Sequence, residues 1–211
     1  MLVNPAASFD FAVRLREGTL SLGEAFTFMS GLYFRGKLTY GARFGAAAGG
    51  RERTFVITPT RGLRPPSSLV TVEDLHEYAA VDVSAGDPRY REPLERDLQT
   101  LDASLDADAR VVLLGSIATS KYVDALVRVV GPRLHFPPSF IGRGDMSRGG
   151  LLLRAAREGV ELEYAPLDQT TVRHGTRPPK LGPVSVRPVV TLRLGRSRPR
   201  ASRAGRRASR P

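Results

Sequence analysis

The sequence of 211 residues has no cysteine, only three histidines and only three lysines. Without cysteine, a disulfide framework and thiolate chemistry are excluded. The histidines are His76, His135 and His174. Because they stand far apart in the chain, we expect no metal site, and no motif identifies a cofactor.

Long apolar runs are also missing. No run approaches the roughly 18 apolar residues that a membrane span requires. The N-terminus lacks the basic segment and the apolar stretch of a secretory signal. We therefore expect a cytoplasmic protein with no membrane partner.

Acidic residues are absent from the last 19 positions, where eight arginines stand between Arg193 and Pro211. The net charge is +11 overall, and residues 1–192 carry 24 basic and 21 acidic residues, a net charge of +3. We expect residues 195–211 to be a disordered Arg-rich tail, because they have little apolar content. Such a tail would bind polyanions in a salt-sensitive way. Compositional drift in a GC-rich coding sequence explains the same arginines equally well.

Lysine is scarce beside 29 arginines. Lys37 and Lys121 both lie in motif-like stretches. A lysine that acts as a compact point charge is not replaced by arginine without loss. Lys121 is therefore a candidate for a specific role, and an ordinary lysine at the start of a helix is the alternative.

From Arg110 to Glu163, short apolar runs alternate with polar loops and amphipathic segments. The pattern predicts strands at 111–114, 134–136 and 161–164, with helices at 122–130 and 151–157 between them. The leucines at 94, 98, 101 and 105 predict a preceding crossover helix. Consecutive units of this kind build a parallel sheet with ligand sites at the carboxyl ends of its strands. We therefore predict an α/β fold with a mainly parallel Rossmann-like sheet and flanking helices.

Three parts of the chain follow from this pattern. Residues 1–30 are expected to be an N-terminal helical addition, in which Ser21 and Glu24 have the spacing of a capping box. Residues 31–194 are expected to form the α/β domain, with an alternating strand near its end. Residues 195–211 are the tail.

The loop from Gly115 to Tyr122 has the features of a phosphate-binding loop. A glycine at a strand end lets a ligand approach the backbone, and the N-terminus of the following helix favours an anion. The candidate ligand-binding residues here are Gly115, Ser116, Thr119, Ser120 and Lys121. The loop matches neither a Walker A motif nor G-x-G-x-x-G. A plain strand-to-helix turn with a Ser or Thr cap is the alternative.

The stretch from Gly142 to Gly150 is predicted to be a second glycine-rich loop. Arg143 and Arg148 bracket Asp145 and Ser147, and both arginines and Ser147 are candidates for holding anionic charge. Asp145 is the first candidate for a catalytic acid or base, and Asp82 is the second. The alternative is an Arg–Asp–Arg lock of the loop. Glycines 149 and 150 each cost about 1 kcal/mol relative to alanine in a helix, so we expect close approach of a ligand or a neighbouring strand.

Two further stretches supply candidates. Tyr33 and Lys37 share one helical face, and with Arg35 and Tyr122 they are predicted to line a pocket for an anionic or aromatic ligand. A core helix with cations that reach solvent is the alternative. Arg61, on a Gly/Pro loop after a predicted strand at 54–58, is a candidate phosphate contact.

Three stretches together resemble a known type of domain. They are Leu32-Tyr33-Phe34-Arg35-Gly36-Lys37 with Tyr40, then the run from Ile57 to Pro65, then the strand and loop at Gly115. In this order they are similar to uncharacterised bacterial Rossmann-like domains related to the peroxide-stress protein YaaA and to the domain accompanying archaeal tRNA-guanine transglycosylases. The resemblance covers about residues 25–165, and residues 142–150 have no counterpart in it. It implies an α/β fold and a link to nucleic acid or nucleobases.

These observations lead to one main hypothesis. The protein binds a nucleotide, nucleobase or other phosphate-bearing ligand at loops 115–122 and 142–150, and processes nucleotides or nucleic acid if it is an enzyme. The alternative is a non-catalytic nucleic-acid-binding protein that acts through its tail. A ligand-sensing or scaffold domain is a third hypothesis. The pattern does not determine the oligomeric state.

Overall fold

The computed structural model describes residues 1–45, 53–118, 120–176 and 178–179. Thr119, the predicted strand near residue 190 and the tail 195–211 lie outside the described residues. In chain order the elements are α1 (Asp10–Arg16), β1 (Leu20–Ser21), α2 (Leu22–Phe44), β2 (Val56–Thr58), β3 (Gly62–Arg64), β4 (Leu69–Val70), α3 (Val72–Ala79), α4 (Pro88–Ala103), β5 (Val111–Val112), α5 (Ser120–Val130), β6 (Leu134–Phe136), α6 (Asp145–Glu158) and β7 (Ala165–Pro166). Short 3-10 turns occupy Gly131–Arg133 and Pro138–Phe140.

Helix α2 begins at the predicted capping box, which is confirmed. The backbone N–H of Glu24 donates to Ser21 Oγ at 3.3 Å, and the N–H of Ser21 donates to Glu24 Oε2 at 3.0 Å. Hydrogen bonds from Arg14 and Ser21 lower the pKa of Glu24 to about 2. The helix bends at Gly31, where φ is 65° and ψ is −141°. It therefore continues across the boundary predicted between residues 30 and 31, with a change of direction at that glycine.

The predicted helices before and after β5 are confirmed. Leu94 and Leu98, on the predicted leucine face of α4, are fully buried. They pack in one core with Val123 and Leu126 of α5 and with Leu134 of β6. The predicted leucine face is confirmed at Leu94 and Leu98, whereas Leu101 is half-buried and Leu105 lies beyond the end of α4.

The sheets are small, and the fold mixes helices with short strands. Strand β5 pairs with β6 in parallel, as the β5–α5–β6 pattern predicts. The pairs β1–β4, β2–β3 and β6–β7 are antiparallel. One of these four described pairings is therefore parallel, and the described strands give no support to a mainly parallel Rossmann-like sheet.

The segment around α6 differs from its prediction in two ways. Residues 145–150 are the first turns of α6 and not a loop. The strand predicted at 161–164 is found at Ala165–Pro166, and it runs antiparallel to β6. The physical reason is that α6 packs along α2. A parallel return strand requires a crossover helix that packs on the sheet.

The N-terminal helices have their own core, in which Leu15, Leu20 and Leu22 pack against Val70 and Leu75. None of the helices in the described ranges has the length and apolar character needed to cross a membrane.

Candidate functional site

Helices α2 and α6 touch through two glycines. A Cβ on Gly149 would lie 2.8 Å from the carbonyl oxygen of Leu32 and 2.9 Å from the Cα of Tyr33. A Cβ on Gly36 would lie 2.9 Å from the carbonyl oxygen of Gly149. The close approach expected at Gly149 is therefore made by a neighbouring helix, and not by a strand or a ligand.

This contact places Tyr33 at the centre of the site. Its ring is buried, with 8% of the residue exposed, and it packs edge-to-face on Phe140 at 6.2 Å between ring centroids. Its hydroxyl donates to the carbonyl oxygen of Leu114 at 2.9 Å. This hydrogen bond therefore connects α2 to the segment that follows β5.

Two cations lie against the Tyr33 ring. Lys37 Nζ is 4.2 Å from the ring centroid and 5.6 Å from the centroid of Phe34. Arg148 Cζ is 5.9 Å from the Tyr33 centroid. Burial lowers the pKa of Lys37, the positive charge of Arg148 lowers it further, and the negative charge of Asp145 opposes both effects.

Asp145 is the first residue of α6, where the helix dipole favours a carboxylate. Its Oδ1 is 3.2 Å from Arg148 Nη1. The Asp145 side chain is 70% exposed, whereas that of Arg148 is 11% exposed. The Nε of Arg148 also donates to the carbonyl oxygen of Phe140 at 3.2 Å. The guanidinium is therefore held in place, with the carboxylate at the solvent side.

The loop after β5 reaches the same place through Tyr122 of α5. The Tyr122 hydroxyl donates to the carbonyl oxygen of Ser116 at 2.7 Å, and a Cβ on Gly115 would lie 2.7 Å from that hydroxyl oxygen. Burial raises the pKa of Tyr122, and the charges of Arg148 and Asp145 both act on it. We call Tyr33, Lys37, Tyr122, Asp145 and Arg148 the tyrosine–cation cluster. The cluster joins three stretches that are far apart in the sequence: α2, the loop and helix after β5, and the start of α6.

Arg143 and Ser147 lie beside the cluster and stabilise the approach to α6. The guanidinium of Arg143 donates to the carbonyl oxygen of Ser139 at 2.9 Å and to Ser147 Oγ at 3.2 Å. It also donates to the carbonyl oxygen of Pro179 at 3.3 Å. Only half of the predicted Arg–Asp–Arg lock is therefore found: Arg148 forms an ion pair with Asp145, whereas Arg143 binds Ser147 and backbone carbonyl oxygens.

The remaining candidates lie elsewhere or point to solvent. Arg61 pairs with Asp74 and Glu77, both at 2.6 Å. Asp82 is exposed and acts electrostatically on Arg89. Three further candidates are exposed, namely Arg35, Ser120 and Lys121. Ser116 Oγ accepts a hydrogen bond from the N–H of Ala118 at 3.4 Å.

Phe34, Gly36 and Phe140 also contribute to the site, although none of them was predicted as a site residue. Small residues in two helices indicate that the helices can approach each other closely, and this is the one signal that would have pointed to Gly36. Within the ranges that the structure covers, no group of acidic and histidine side chains could hold a metal ion. A shallow groove between α4 and α5, about 350 Å³ in volume, is lined by Glu95, Asp102 and Arg128 and contains no predicted site residue.

Comparisons of the chain with protein-family models, curated proteins and solved structures found no match. The resemblance to YaaA-related domains therefore stays a prediction.

Proposed function

We propose that this protein binds a small phosphate-bearing ligand, such as a nucleotide, at the tyrosine–cation cluster. One observation carries the proposal: Lys37 and Arg148 share one tyrosine ring, and Asp145 is the single described carboxylate within ion-pair distance of either cation. Phosphate would offset the excess positive charge.

The surrounding backbone supports an anion at this place. Gly144, the N-cap residue of α6, has no side chain that could accept from the first-turn N–H groups. Such N–H groups favour a phosphate, which also interacts well with the helix dipole. The loop at Gly115 and Ser116 contacts the cluster through Tyr122. The half-buried ring of Tyr122 adds an apolar surface, which suits a nucleobase.

Asp145 has a role within this proposal. It is exposed, it is paired with Arg148, and its charge acts on Lys37 and both tyrosines. In an enzyme that processes nucleotides, Asp145 would exchange protons with the ligand. The mainly parallel Rossmann-like sheet and the cytoplasmic location stay predictions beside this one.

The test is ligand-dependent thermal stabilisation of the full chain. The panel contains mononucleotides, nucleobases, sugar phosphates and short single-stranded oligonucleotides. A ligand at 100 times its dissociation constant stabilises the folded protein by about 2.7 kcal/mol. We expect one phosphate-bearing class to raise the melting temperature of the wild type, with a much smaller rise in Arg148→Gln.

Arg16→Gln is the matched control, because Arg16 is an exposed arginine of α1 and the substitution removes the same charge. It should retain the full shift. An equal shift in Arg148→Gln, or no shift with any compound, would contradict the proposal.

A second candidate rests on the eight arginines of residues 193–211, which have no acidic neighbour. This segment, outside the described residues, would bind nucleic acid through phosphate contacts. The prediction is that residues 1–194 lose the oligonucleotide affinity of the full chain. Retained affinity with an unchanged salt dependence would exclude the tail as the binding element.

A further inference from the structure

The side chain of Lys37 is half-buried. The faces of two aromatic rings, centred within 5.6 Å of Nζ, exclude water from the amine, although they also attract its charged form. Among the described residues, Nζ makes no hydrogen bond and no ion pair. Arg148 lies against the Tyr33 ring as a second cation. A desolvated amine beside another cation is the arrangement that activates a lysine as a nucleophile.

The choice of residue supports this interpretation. Of 32 basic residues, 29 are arginine. Arginine binds aromatic faces and phosphate at least as well as lysine does. Arginine is never deprotonated in proteins, however, so it has no free electron pair for attack. A lysine at position 37 therefore provides what arginine lacks, which is an amine that can become neutral.

We propose that Lys37 is a nucleophilic lysine that forms an imine with an aldehyde or ketone carrying an anionic group such as phosphate. The anionic part of this inference rests on the function proposed above, because Arg148 would hold that group.

The reaction requires no oxidant or reductant. The electron pair of the neutral Lys37 amine forms a bond to the carbonyl carbon, and the carbonyl electron pair moves to oxygen, which takes up a proton. The nitrogen loses a proton, and the hydroxyl group leaves as water after protonation while the carbon–nitrogen double bond forms. The nitrogen then loses its second proton. Amine and carbonyl compound thus give imine and water.

The experiment traps the imine in the full-length protein. Pyridoxal 5′-phosphate serves as the probe, sodium borohydride reduces the imine to a stable amine, and peptide mass spectrometry locates the adduct. The chain offers three lysines and the amine of Met1. We expect Lys37 to be modified severalfold faster in the folded protein than in the urea-unfolded chain, and faster than Lys121 in the folded protein. Slower modification of Lys37 in the folded protein would overturn the inference, and this comparison does not require a variant to fold.

Two conservative variants sharpen the result. Lys37→Arg keeps the charge and should lose the adduct at position 37. Lys121→Arg should retain the adduct at Lys37. A Lys37→Arg protein with the same total modification as the wild type would contradict a specific site.

A second arm separates this inference from the proposed function. Pyridoxal has the same aldehyde without phosphate, and it should modify Lys37 severalfold more slowly than pyridoxal 5′-phosphate does. That preference should disappear in Arg148→Gln. Equal, fast modification by both probes would overturn the anion-binding role while leaving Lys37 a nucleophile. A phosphate-dependent thermal shift without an adduct at Lys37 would overturn the nucleophile and leave the binding function standing.

Discussion

Lys37 and Arg61 each lie against a tyrosine ring, but they differ in their ion pairing and in the direction of their pKa shifts. Lys37 Nζ is 4.2 Å from the Tyr33 centroid, and Arg61 Cζ is 5.9 Å from the Tyr78 centroid. Arg61 also pairs with Asp74 and Glu77 at 2.6 Å each, whereas Lys37 pairs with no described carboxylate.

The pKa values differ in direction as a result. Hydrogen bonds to Glu77, and then the nearby negative charges, raise the pKa of Arg61 despite partial burial. Burial lowers the pKa of Lys37, the charge of Asp145 opposes this effect, and the charge of Arg148 adds to it. The ion pairs of Arg61 with Asp74 and Glu77 therefore stabilise the contact between the β2–β3 hairpin and α3. The tyrosine–cation cluster holds charge at some cost to stability, which is common at functional sites.

The largest effect should come from separating the two helices that build the tyrosine–cation cluster. Gly149→Leu places a side chain against the backbone of α2 at Leu32 and Tyr33. We expect it to lower the free energy of unfolding by about 3 kcal/mol, as overpacked contacts do. Urea unfolding followed by circular dichroism measures this.

Gly86→Ala is the control, because its Cβ would meet only Ser84 Oγ, at 3.8 Å. It should change the free energy of unfolding by less than about 0.5 kcal/mol. Wild-type stability in Gly149→Leu would show that the glycine contact does not constrain the cluster.

An intermediate effect should distinguish the two cations directly. Arg61→Met leaves Asp74, whose side chain is 12% exposed, without its cation. Because Arg61 is itself 43% exposed and screened by solvent, we expect a loss of about 1 kcal/mol. Lys37→Met keeps the length of the side chain and removes its charge, so the free energy of unfolding should stay equal or rise. Equal losses in both variants would contradict the proposed distinction between Arg61 as a structural cation and Lys37 as a functional one.

The smallest effect is the pH dependence of stability, and the two cations should show it in different pH ranges. Arg61 and Thr60 lower the pKa of Glu77 from 4.5. The stability from this pair is therefore complete above pH 4.5 and is lost as the pH falls through the folded-state pKa of Glu77. The stability difference between wild type and Arg61→Met should shrink over that acidic range.

For Lys37 it is the charged form that folding disfavours. A lowered pKa means that the unfolded chain binds the proton more tightly, so folding is opposed while lysine is charged in both states. Relative to Lys37→Met, the wild type should gain stability as the pH rises from the folded-state pKa of Lys37 toward 10.5. The raised pKa of Tyr33 acts in both proteins and largely cancels. Unfolding curves at several pH values test both ranges, and a flat difference in the alkaline range would contradict the surroundings described for Lys37.

Several features were predictable from sequence because they depend on neighbouring residues. The spacing of Leu94 and Leu98 identified the buried face of α4, and the Ser21–Glu24 spacing identified the start of α2. Tyr33 and Lys37 were placed on one face by helical periodicity. These signals act over a few residues, so a single stretch of sequence contains them.

Other features depend on which distant segments meet. The sequence placed Gly149 in a loop beside a helix, whereas Gly149 lies in the first turns of α6 and approaches Leu32 of α2 closely. That packing in turn leaves the strand after α6 antiparallel to β6.

Taken by itself, the sequence determined the amphipathic helices, their caps and a set of residues with suitable chemistry. Only the tertiary structure decided which of those residues share a site. Tyr33, Lys37 and Arg148 meet because two glycines let α2 and α6 approach, whereas Arg61 is neutralised by carboxylates of α3. The physical reason is that periodicity and capping are local, while the surroundings of a charge are set by side chains far away in the chain.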